Sequence, residues 1–169
     1  MTKANRFQLG MDLDAGTTQA EVAGKPRLKV IGAGSDVLAE TREDHFIRRD
    51  GRVFAGTHLI IEVVDGEGLD DEARIRGALG ACVDACGATL LHMHTHRFSP
   101  QGVSGVAVLA ESHISVHTWP EIGYGAFDVF MCGNAEPWRA VDVLRDAFAA
   151  GDMRVRELLR GEDVIAERL

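Results

Sequence analysis

The amino-acid sequence predicts an α+β fold in which an antiparallel β-sheet is covered on one face by two helices. Segments rich in β-branched residues end at glycine-containing turns, and two other segments carry apolar residues at every third or fourth position. The connections between the strand segments are short enough for antiparallel neighbours. With 169 residues, the chain has the length of one compact domain rather than two.

The first strong strand signal lies at residues 58–64, which are mostly β-branched or aliphatic and end at the turn 65–68. A helix should follow, with Asp70 as its N-cap and Gly87 as its C-terminal stop. Its buried face is predicted to consist of apolar residues three or four positions apart, namely Ile75, Leu79, Cys82, Val83 and Cys86. The two thiols of this face are interpreted as structural, because buried thiols usually act as small apolar side chains.

The second half of the chain is predicted to add most of the sheet and the second helix. A loop is expected at residues 119–125, and strands are expected at residues 89–98, 106–110, 112–118, 126–132 and 153–159. The second helix should open near Asn134 and Pro137 and close at Gly151. Its apolar side is predicted to contain Trp138, Val141, Leu144 and Phe148. Both helices are expected to pack on the same face of the sheet.

Residues 1–55 differ from the rest of the chain, because they are rich in Gly, Asp, Thr and Arg and show little periodicity. They are interpreted as a weakly structured extension that precedes a domain of residues 56–169. Within the extension, a short strand is predicted at residues 28–31. Asp50 and Gly51 stand between two apolar pairs, which predicts a hairpin at the edge of the main sheet.

Charge and composition exclude several classes of protein. The chain carries 26 acidic and 18 basic side chains, a formal net charge of −8, which argues against a surface that tracks nucleic-acid phosphates. No apolar run approaches the roughly 20 residues that span a bilayer, and the N-terminus lacks a signal-peptide core. Three cysteines fit a reducing compartment better than a disulfide framework. We therefore expect a cytoplasmic protein without nucleic-acid or membrane partners.

The most informative stretch is residues 110–121, which holds three hydroxyl, two imidazole and two carboxylate side chains. Ser112 directly follows Glu111, and His117 lies five residues later, so a nucleophile, a backbone carbonyl and a candidate base share one short segment. Such a group could act on the chain itself. Strict strand alternation places Ser112 and His117 on opposite faces, so their direct contact would require a bend at Ser112.

Two further sets of residues have more than one interpretation. His92, His94 and His96 share one face of a predicted strand and could meet at one metal ion, but the strand offers no carboxylate to complete the set. A half-solvated strand face is therefore favoured over a metal site. Cys132 ends a strand beside a predicted helix start, where the helix dipole would favour its thiolate. A catalytic role for Cys132 is as well supported by this position as a structural one.

Several short motifs between residues 56 and 150 carry a resemblance to a known family. The motifs are Gly87-Ala88-Thr89, His96-Arg97-Phe98, Pro100, Gly102-Val103-Ser104-Gly105-Val106, Glu111-Ser112-His113, His117-Thr118-Trp119-Pro120-Glu121, Gly123-Tyr124, Asp128, Phe130 and Cys132-Gly133. On these residues the chain resembles the S-adenosylmethionine decarboxylase proenzymes of the short prokaryotic type, which mature into pyruvoyl enzymes.

The resemblance implies that the chain cleaves itself between Glu111 and Ser112. The Ser112 hydroxyl would attack the Glu111 carbonyl, and elimination would split the chain into a β chain of residues 1–111 and an α chain of residues 112–169. Ser112 would become a pyruvoyl group, a ketone that forms a Schiff base with the substrate amine. Neither pyridoxal phosphate nor a metal is then required.

The resemblance also implies roles for five other side chains. His117 would be the base of the elimination, and Ser104 would assist processing. Cys132 would be the acid that returns a proton to the substrate α-carbon. Phe98 would stack on adenine, and Glu121 would accept the ribose hydroxyls.

The implied reaction is decarboxylation of S-adenosylmethionine, which supplies the aminopropyl donor for spermidine and other polyamines. The implied assembly is a homodimer of processed protomers, in which two sheets pack as an α/β/β/α sandwich. Ser99 and Gln101 depart from the larger apolar residues expected around Phe98, so arginine or ornithine is an alternative substrate. An unprocessed nucleoside-binding regulator is an alternative of another class. The nucleophile, base and thiol together argue against it, since binding alone needs none of them.

Overall fold

The structure, a computed structural model, describes residues 46–168. These form a six-stranded antiparallel sheet, a separate two-stranded hairpin, three α-helices and one short 3-10 helix, Pro120–Ile122. The strands are β1 Ile47–Arg49, β2 Arg52–Phe54, β3 Gly56–Val64, β4 Leu90–Arg97, β5 Val103–Leu109, β6 His113–Trp119, β7 Tyr124–Met131 and β8 Asp152–Arg160. The helices are α1 Glu72–Ala85, α2 Arg139–Ala147 and α3 Glu162–Ala166. The predicted α+β fold is confirmed, although α3 was not foreseen.

The strand order of the sheet brings distant parts of the sequence together. In space the strands run β4-β5-β6-β7-β3-β8, and every neighbouring pair is antiparallel. Because β6 lies beside β7, the start of one strand meets the end of the other, and His113 is opposite Phe130. Ser112 directly precedes β6 and Cys132 directly follows β7, so the topology places both at the same end of these two central strands.

Alternate residues of the strands divide the sheet into a covered face and an open face. On β3, Leu59, Ile61 and Val63 are fully buried beneath the helices, whereas the residues between them are half-buried. The same core contains Ile75 of α1 and Leu144 of α2, as predicted for two helices on one face. The opposite face, which we name the open face, presents among others His58, Glu62, His113, Ser115, His117, Tyr124, Asp128 and Arg156.

Helix α1 is capped one residue later than the sequence suggested. Asp71, not Asp70, is the N-cap, because its carboxylate accepts hydrogen bonds from the backbone N–H groups of Ala73 and Arg74. The helix begins at Glu72, and the Asp70 carboxylate instead accepts a hydrogen bond from the Gly102 N–H. Gly87 ends the helical segment with a φ of 70°, as predicted.

Helix α2 is shorter than predicted at both ends. It begins at Arg139 and ends at Ala147, before the predicted stop at Gly151. Its predicted apolar side is buried except for Trp138, which is 47% exposed. The Trp138 indole N–H donates to the Glu157 carboxylate instead, at 3.3 Å, so a polar partner draws the ring outward.

Strand pairing overrides the turn-like composition around residue 103. β5 begins at Val103, three residues before the predicted start, and includes Gly105. A Cβ at Gly105 would lie 3.0 Å from the Thr95 methyl group, so glycine permits the close packing of the two strands. The predicted loop at 119–125 is also shorter than expected, because β7 already begins at Tyr124.

Residues 47–54 form the predicted hairpin, but the hairpin does not extend the main sheet. β1 and β2 pair with each other as a two-stranded sheet. Asp50 and Gly51 both have positive φ, 52° and 75°, as a two-residue hairpin turn requires. The predicted position of the hairpin at the edge of the main sheet is therefore wrong. An ion pair between Arg52 and Glu162 links the hairpin to helix α3 instead.

The predicted strand at residues 28–31, like most of the extension assigned to residues 1–55, lies outside the described residues. The boundary between extension and domain therefore stays a prediction. Within residues 46–168, no helix is long and apolar enough to cross a bilayer.

Candidate active site

The predicted scissile bond lies in the tight turn between β5 and β6. Glu111 has a φ of 68°, a left-handed conformation that is costly for a residue with a side chain. Backbone hydrogen bonds hold the turn on both sides of this residue. The Leu109 N–H donates to the Ser112 carbonyl at 2.9 Å, and the Ala110 N–H donates to the Thr89 carbonyl at 2.9 Å. The turn therefore keeps a strained residue beside the predicted cleavage point.

Ser112 and Cys132 meet directly at this turn. The Cys132 backbone N–H donates to Ser112 Oγ at 3.0 Å, and the Ser112 residue is only 8% exposed. This hydrogen bond fixes the position of the hydroxyl oxygen relative to the main chain. The contact arises because β6 and β7 are antiparallel neighbours, so the start of β6 lies beside the end of β7.

Burial raises the pKa of the Cys132 thiol, and the charge of Glu111 raises it further. The expectation of a dipole-stabilised thiolate is wrong in direction. α2 begins at Arg139, seven residues after Cys132, so no helix N-terminus lies next to the sulfur. A thiol that stays protonated at neutral pH is suited to donating a proton.

Ser104 and His117 form a second pair, on the open face at the other end of β6. They stand opposite each other in the β5–β6 ladder, and Ser104 Oγ lies 2.7 Å from His117 Nδ1. A hydrogen bond at Nδ1 fixes the orientation of the imidazole and directs Nε2 toward the opposite side of the ring. The Trp119 ring lies 6.4 Å from the His117 ring and extends the same surface.

A cleft of about 410 Å³ adjoins the Ser104–His117 pair. Its lining includes Phe98, Gln101, Trp119 and Glu121. Phe98 is 47% exposed, which leaves an aromatic surface available to a flat ligand. Gln101 Nε2 donates to Glu121 Oε2 at 2.9 Å and so orients the carboxylate for which the family resemblance implies ribose binding.

The structure separates these residues into two groups. We name Glu111, Ser112 and Cys132 the cleavage end, and Phe98, Ser104, His117 and Glu121 the cleft end. β6 is continuous from His113 to Trp119, and an extended chain rises about 3.3 Å per residue, so His117 lies roughly 16 Å along the strand from Ser112. Within one chain, the predicted base does not reach the predicted nucleophile.

The three alternating histidines of β4 lie on an exposed face of an edge strand. His92, His94 and His96 are all exposed, and His96 packs edge-on against Phe98 with ring centroids 4.8 Å apart. Among residues 46–168, no three histidine, cysteine or carboxylate side chains are grouped so as to hold a metal ion. The contact with Phe98 instead joins one of the histidines to the cleft end.

The sequence reasoning missed two polar side chains near the cleft end. Asp70 accepts hydrogen bonds from both sides of the loop that carries Phe98, and Gln101 binds Glu121. The first had a signal in the sequence, because Asp70 and Asp71 are consecutive and one helix start uses only one N-cap. The contact of Gln101 with Glu121 had no signal in the sequence, since the two residues are 20 positions apart and on different turns.

Comparison with known proteins places this arrangement in a family. The family model described as S-adenosylmethionine decarboxylase matches residues 57–161. The S-adenosylmethionine decarboxylase proenzyme of Methanococcus aeolicus is 48% identical over 112 residues, which are 64% of this chain and 96% of that protein. The proenzyme of the same name from a Synechococcus strain is 51% identical over 108 residues, 62% of this chain and 84% of that protein.

A solved structure agrees with the sequence comparisons. The crystal structure of the adenosylmethionine decarboxylase from Aquifex aeolicus is 30% identical and superposes with a TM-score of 0.58. The match covers 63% of this chain and 91% of that chain. Apart from Gly56 at the start of β3, the six-stranded sheet, with the turn at Ser112 and the cleft beside His117, lies within residues 57–161. The chain therefore belongs to the S-adenosylmethionine decarboxylase family.

Proposed function

We propose that this chain is a self-processing, pyruvoyl-dependent decarboxylase that acts on S-adenosylmethionine and supplies the aminopropyl donor for polyamine synthesis. The observation that carries the proposal is the contact between Ser112 Oγ and the Cys132 N–H at 3.0 Å, beside the strained Glu111. It joins a fixed nucleophile, a scissile bond and a proton donor in a chain of this family. A surface that only bound a nucleoside would need none of these three.

In the proposed cleavage, Ser112 Oγ adds to the Glu111 carbonyl carbon, and the amide C–N bond breaks as its nitrogen gains a proton. Glu111 is then an ester on the serine oxygen. Loss of the Ser112 Cα proton to a base expels the Glu111 carboxylate. Hydrolysis of the remaining dehydroalanine amine releases ammonia and leaves the pyruvoyl group. The left-handed Glu111 supports this step, because breaking the bond after it relieves the strain.

The residues at the cleavage end fit a group formed at position 112. Ser112 is buried at a fixed turn, and Cys132 stands against it with a raised pKa. When present, the pyruvoyl ketone supplies an electron sink on the substrate amine. The Cys132 thiol would then deliver a proton to the substrate α-carbon, and the buried turn would keep water from competing for that position.

We propose further that the active enzyme is a homodimer in which a second copy supplies the cleft end to the cleavage end. The roughly 16 Å along β6 that separate His117 from Ser112 support this, since one chain alone leaves each group incomplete. The open face supports it too, because helices cover only the opposite face. Two open faces packed together would form the α/β/β/α sandwich and bring each His117 toward the Ser112 of the other copy.

Co-expression of Ser112→Ala and His117→Ala chains tests this dimer. Each variant alone should be inactive. Random pairing gives about half mixed dimers, each with one complete site, so about a quarter of the wild-type activity should return. Mixed dimers with no activity would contradict a site shared between copies. A Ser112→Ala, His117→Ala double variant co-expressed with the same partners is the control, and it should restore nothing.

The substrate is tested on purified full-length protein. The protein should run as two polypeptides on a denaturing gel, with the smaller one blocked to N-terminal sequencing. Carbon dioxide release should be observed with S-adenosylmethionine and not with arginine or ornithine, because Phe98 and Glu121 line the cleft. Release from arginine or ornithine alone would overturn the substrate assignment. Binding of S-adenosylmethionine without cleavage or release would favour the regulatory module.

Location stays a prediction. The three cysteines, Cys82, Cys86 and Cys132, are all free thiols, which agrees with the reducing compartment expected from their number. We propose the cytoplasm on this ground. Thiol labelling of intact producing cells, followed by lysis and fractionation, would measure the location.

A further inference from the structure

Two consecutive aspartates at the start of α1 bind different parts of the molecule. Asp71 caps the helix through the N–H groups of Ala73 and Arg74. Asp70 turns to the loop after β4: its Oδ1 accepts the Gly102 N–H at 2.8 Å, and its Oδ2 is paired with the Arg97 guanidinium. Capping of α1 explains the position of Asp71, but it does not explain the contacts of Asp70.

Arg97 and Gly102 are the two ends of one loop. A third contact runs from Arg97 Nε to the backbone carbonyl oxygen of Asp70 at 3.2 Å. Arg97 therefore binds Asp70 through two of its nitrogen atoms. The loop closes on itself where the Phe98 N–H donates to the Gly102 carbonyl at 2.8 Å. One aspartate thus holds both ends of residues 97–102.

The loop of residues 97–102 carries several of the residues that line the cleft. Phe98 and Gln101 lie between the two ends that Asp70 binds. Gln101 in turn donates a 2.9 Å hydrogen bond to Glu121, which also lines the cleft. The second end requires glycine. Gly102 has a φ of 97°, and a Cβ there would lie 3.1 Å from the Thr118 carbonyl oxygen.

We propose that Asp70 is a positioning residue for the decarboxylation, which holds residues 98–101 over the cleft by binding Arg97 and Gly102. The proposal rests on the function proposed above, since it assumes that the cleft receives the nucleoside part of the substrate. Asp70 itself lies outside the cleft and does not touch the reacting atoms. Its effect is expected on substrate binding, not on cleavage or on the chemical step.

The charge of Asp70 agrees with this role. The Arg97 guanidinium lowers the pKa of the Asp70 carboxyl, and the Gly102 N–H lowers it further. The side chain is therefore ionised at neutral pH and accepts both hydrogen bonds as a carboxylate. An ionised acceptor gives stronger and shorter hydrogen bonds than a neutral one.

Asp70→Ala and Asp71→Ala provide a matched pair for the test, made in the full-length, processed enzyme. Asp70→Ala should raise the KM for S-adenosylmethionine about tenfold and leave kcat within about twofold, because a misplaced loop weakens binding of the nucleoside before chemistry. Asp71→Ala should lower the Tm by a few degrees, roughly the effect of a lost N-cap, and leave KM within about twofold. Asp70→Asn keeps an acceptor for Gly102 without the charge and should fall between wild type and alanine.

A second measurement does not depend on activity. Amide hydrogen exchange of the peptide covering residues 97–102 should become at least about fivefold faster in Asp70→Ala and stay unchanged in Asp71→Ala. Equal KM increases in both variants, or an unchanged exchange rate in Asp70→Ala, would overturn the positioning role. A wild-type enzyme that does not decarboxylate S-adenosylmethionine would overturn the proposed function instead, and the exchange result would still decide whether Asp70 holds the loop.

Discussion

The two ends of β6 differ in how their functional residues are held. At the cleavage end, the backbone fixes Ser112, which is buried, accepts a hydrogen bond from the Cys132 N–H and lies next to a strained residue. At the cleft end, side chains hold one another: Ser104 contacts His117, and Gln101 contacts Glu121. The first arrangement suits chemistry on the chain itself, and the second suits binding of a ligand that must enter and leave.

The two ends also differ in their exposure to solvent. Ser112 is 8% exposed, whereas Phe98 is 47% and Trp119 42% exposed. Large exposed aromatic groups beside polar partners mark a surface that a ligand or another chain covers. Neither end is complete alone: the cleavage end holds the proposed nucleophile and scissile bond, and the proposed base lies at the cleft end.

The largest expected effect comes from removing the nucleophile at the cleavage end. Ser112→Ala should abolish both self-cleavage and decarboxylation, because the chain then has no hydroxyl to attack the Glu111 carbonyl. A denaturing gel and carbon dioxide release measure the two losses. Ser115→Ala is the matched control: it removes a hydroxyl from the adjoining strand β6, bonded to Asp128 at 3.1 Å, and the chain should still be cleaved. Decarboxylation by an uncleaved Ser112→Ala chain would contradict the assigned cofactor.

The next effect separates the two chemical roles at the cleavage end. Cys132→Ala should still be cleaved at Ser112 but should lose about 10²–10⁴-fold in kcat, the usual contribution of a positioned general acid. Single-turnover carbon dioxide release and gel analysis measure the two steps. Cys82→Ala is the control, because Cys82 is fully buried in the core. It should cost about 1 kcal/mol of stability and leave kcat unchanged. Equal rate losses in both cysteine variants would argue against a proton donor at Cys132.

A smaller effect is expected at the cleft end. Gln101→Leu removes the donor that orients Glu121 and should raise the KM for S-adenosylmethionine roughly three- to tenfold, the range of one hydrogen bond. A double-mutant cycle sharpens the test. In a Glu121→Gln background, Gln101→Leu should cause little further increase in the KM, since the two side chains act through one contact. Fully additive changes in KM would show that they act separately.

The smallest effect concerns the charge of Glu111 on the neighbouring thiol. Burial raises the pKa of Cys132 first and Glu111 raises it second, so Glu111→Gln should move that pKa to lower values. The measurement is the pH dependence of alkylation of Cys132 in the uncleaved Ser112→Ala chain. The midpoint should move to lower pH when Glu111→Gln is added. Burial gives Cys82 and Cys86 pKa values of about 12 and about 11, so they interfere little. A midpoint that moved upward would contradict the repulsion.

The sequence predicted most elements because their signals are local. Alternation gave the strands, and the spacing of Ile75, Leu79 and Cys82 gave the buried face of α1. The predicted ends of strands and helices were wrong where a residue distant in sequence determines the local conformation. Residues 103–105 precede the predicted start of the strand at residue 106, but they belong to β5 because they pair with residues of β4 and β6. Trp138 was assigned to the core by spacing, yet it is exposed with a polar partner on β8.

The residue types of the site follow from the sequence: a serine after a glutamate, a nearby histidine and a cysteine in motifs that resemble one family. Which of these residues meet depends on how the strands pair. Spacing along the chain suggested that Ser112 and His117 act together, but an extended strand keeps residues five apart well separated. Strand pairing instead joins Ser112 to Cys132, 20 residues later, because hydrogen bonds between neighbouring strands depend on register and not on distance in sequence.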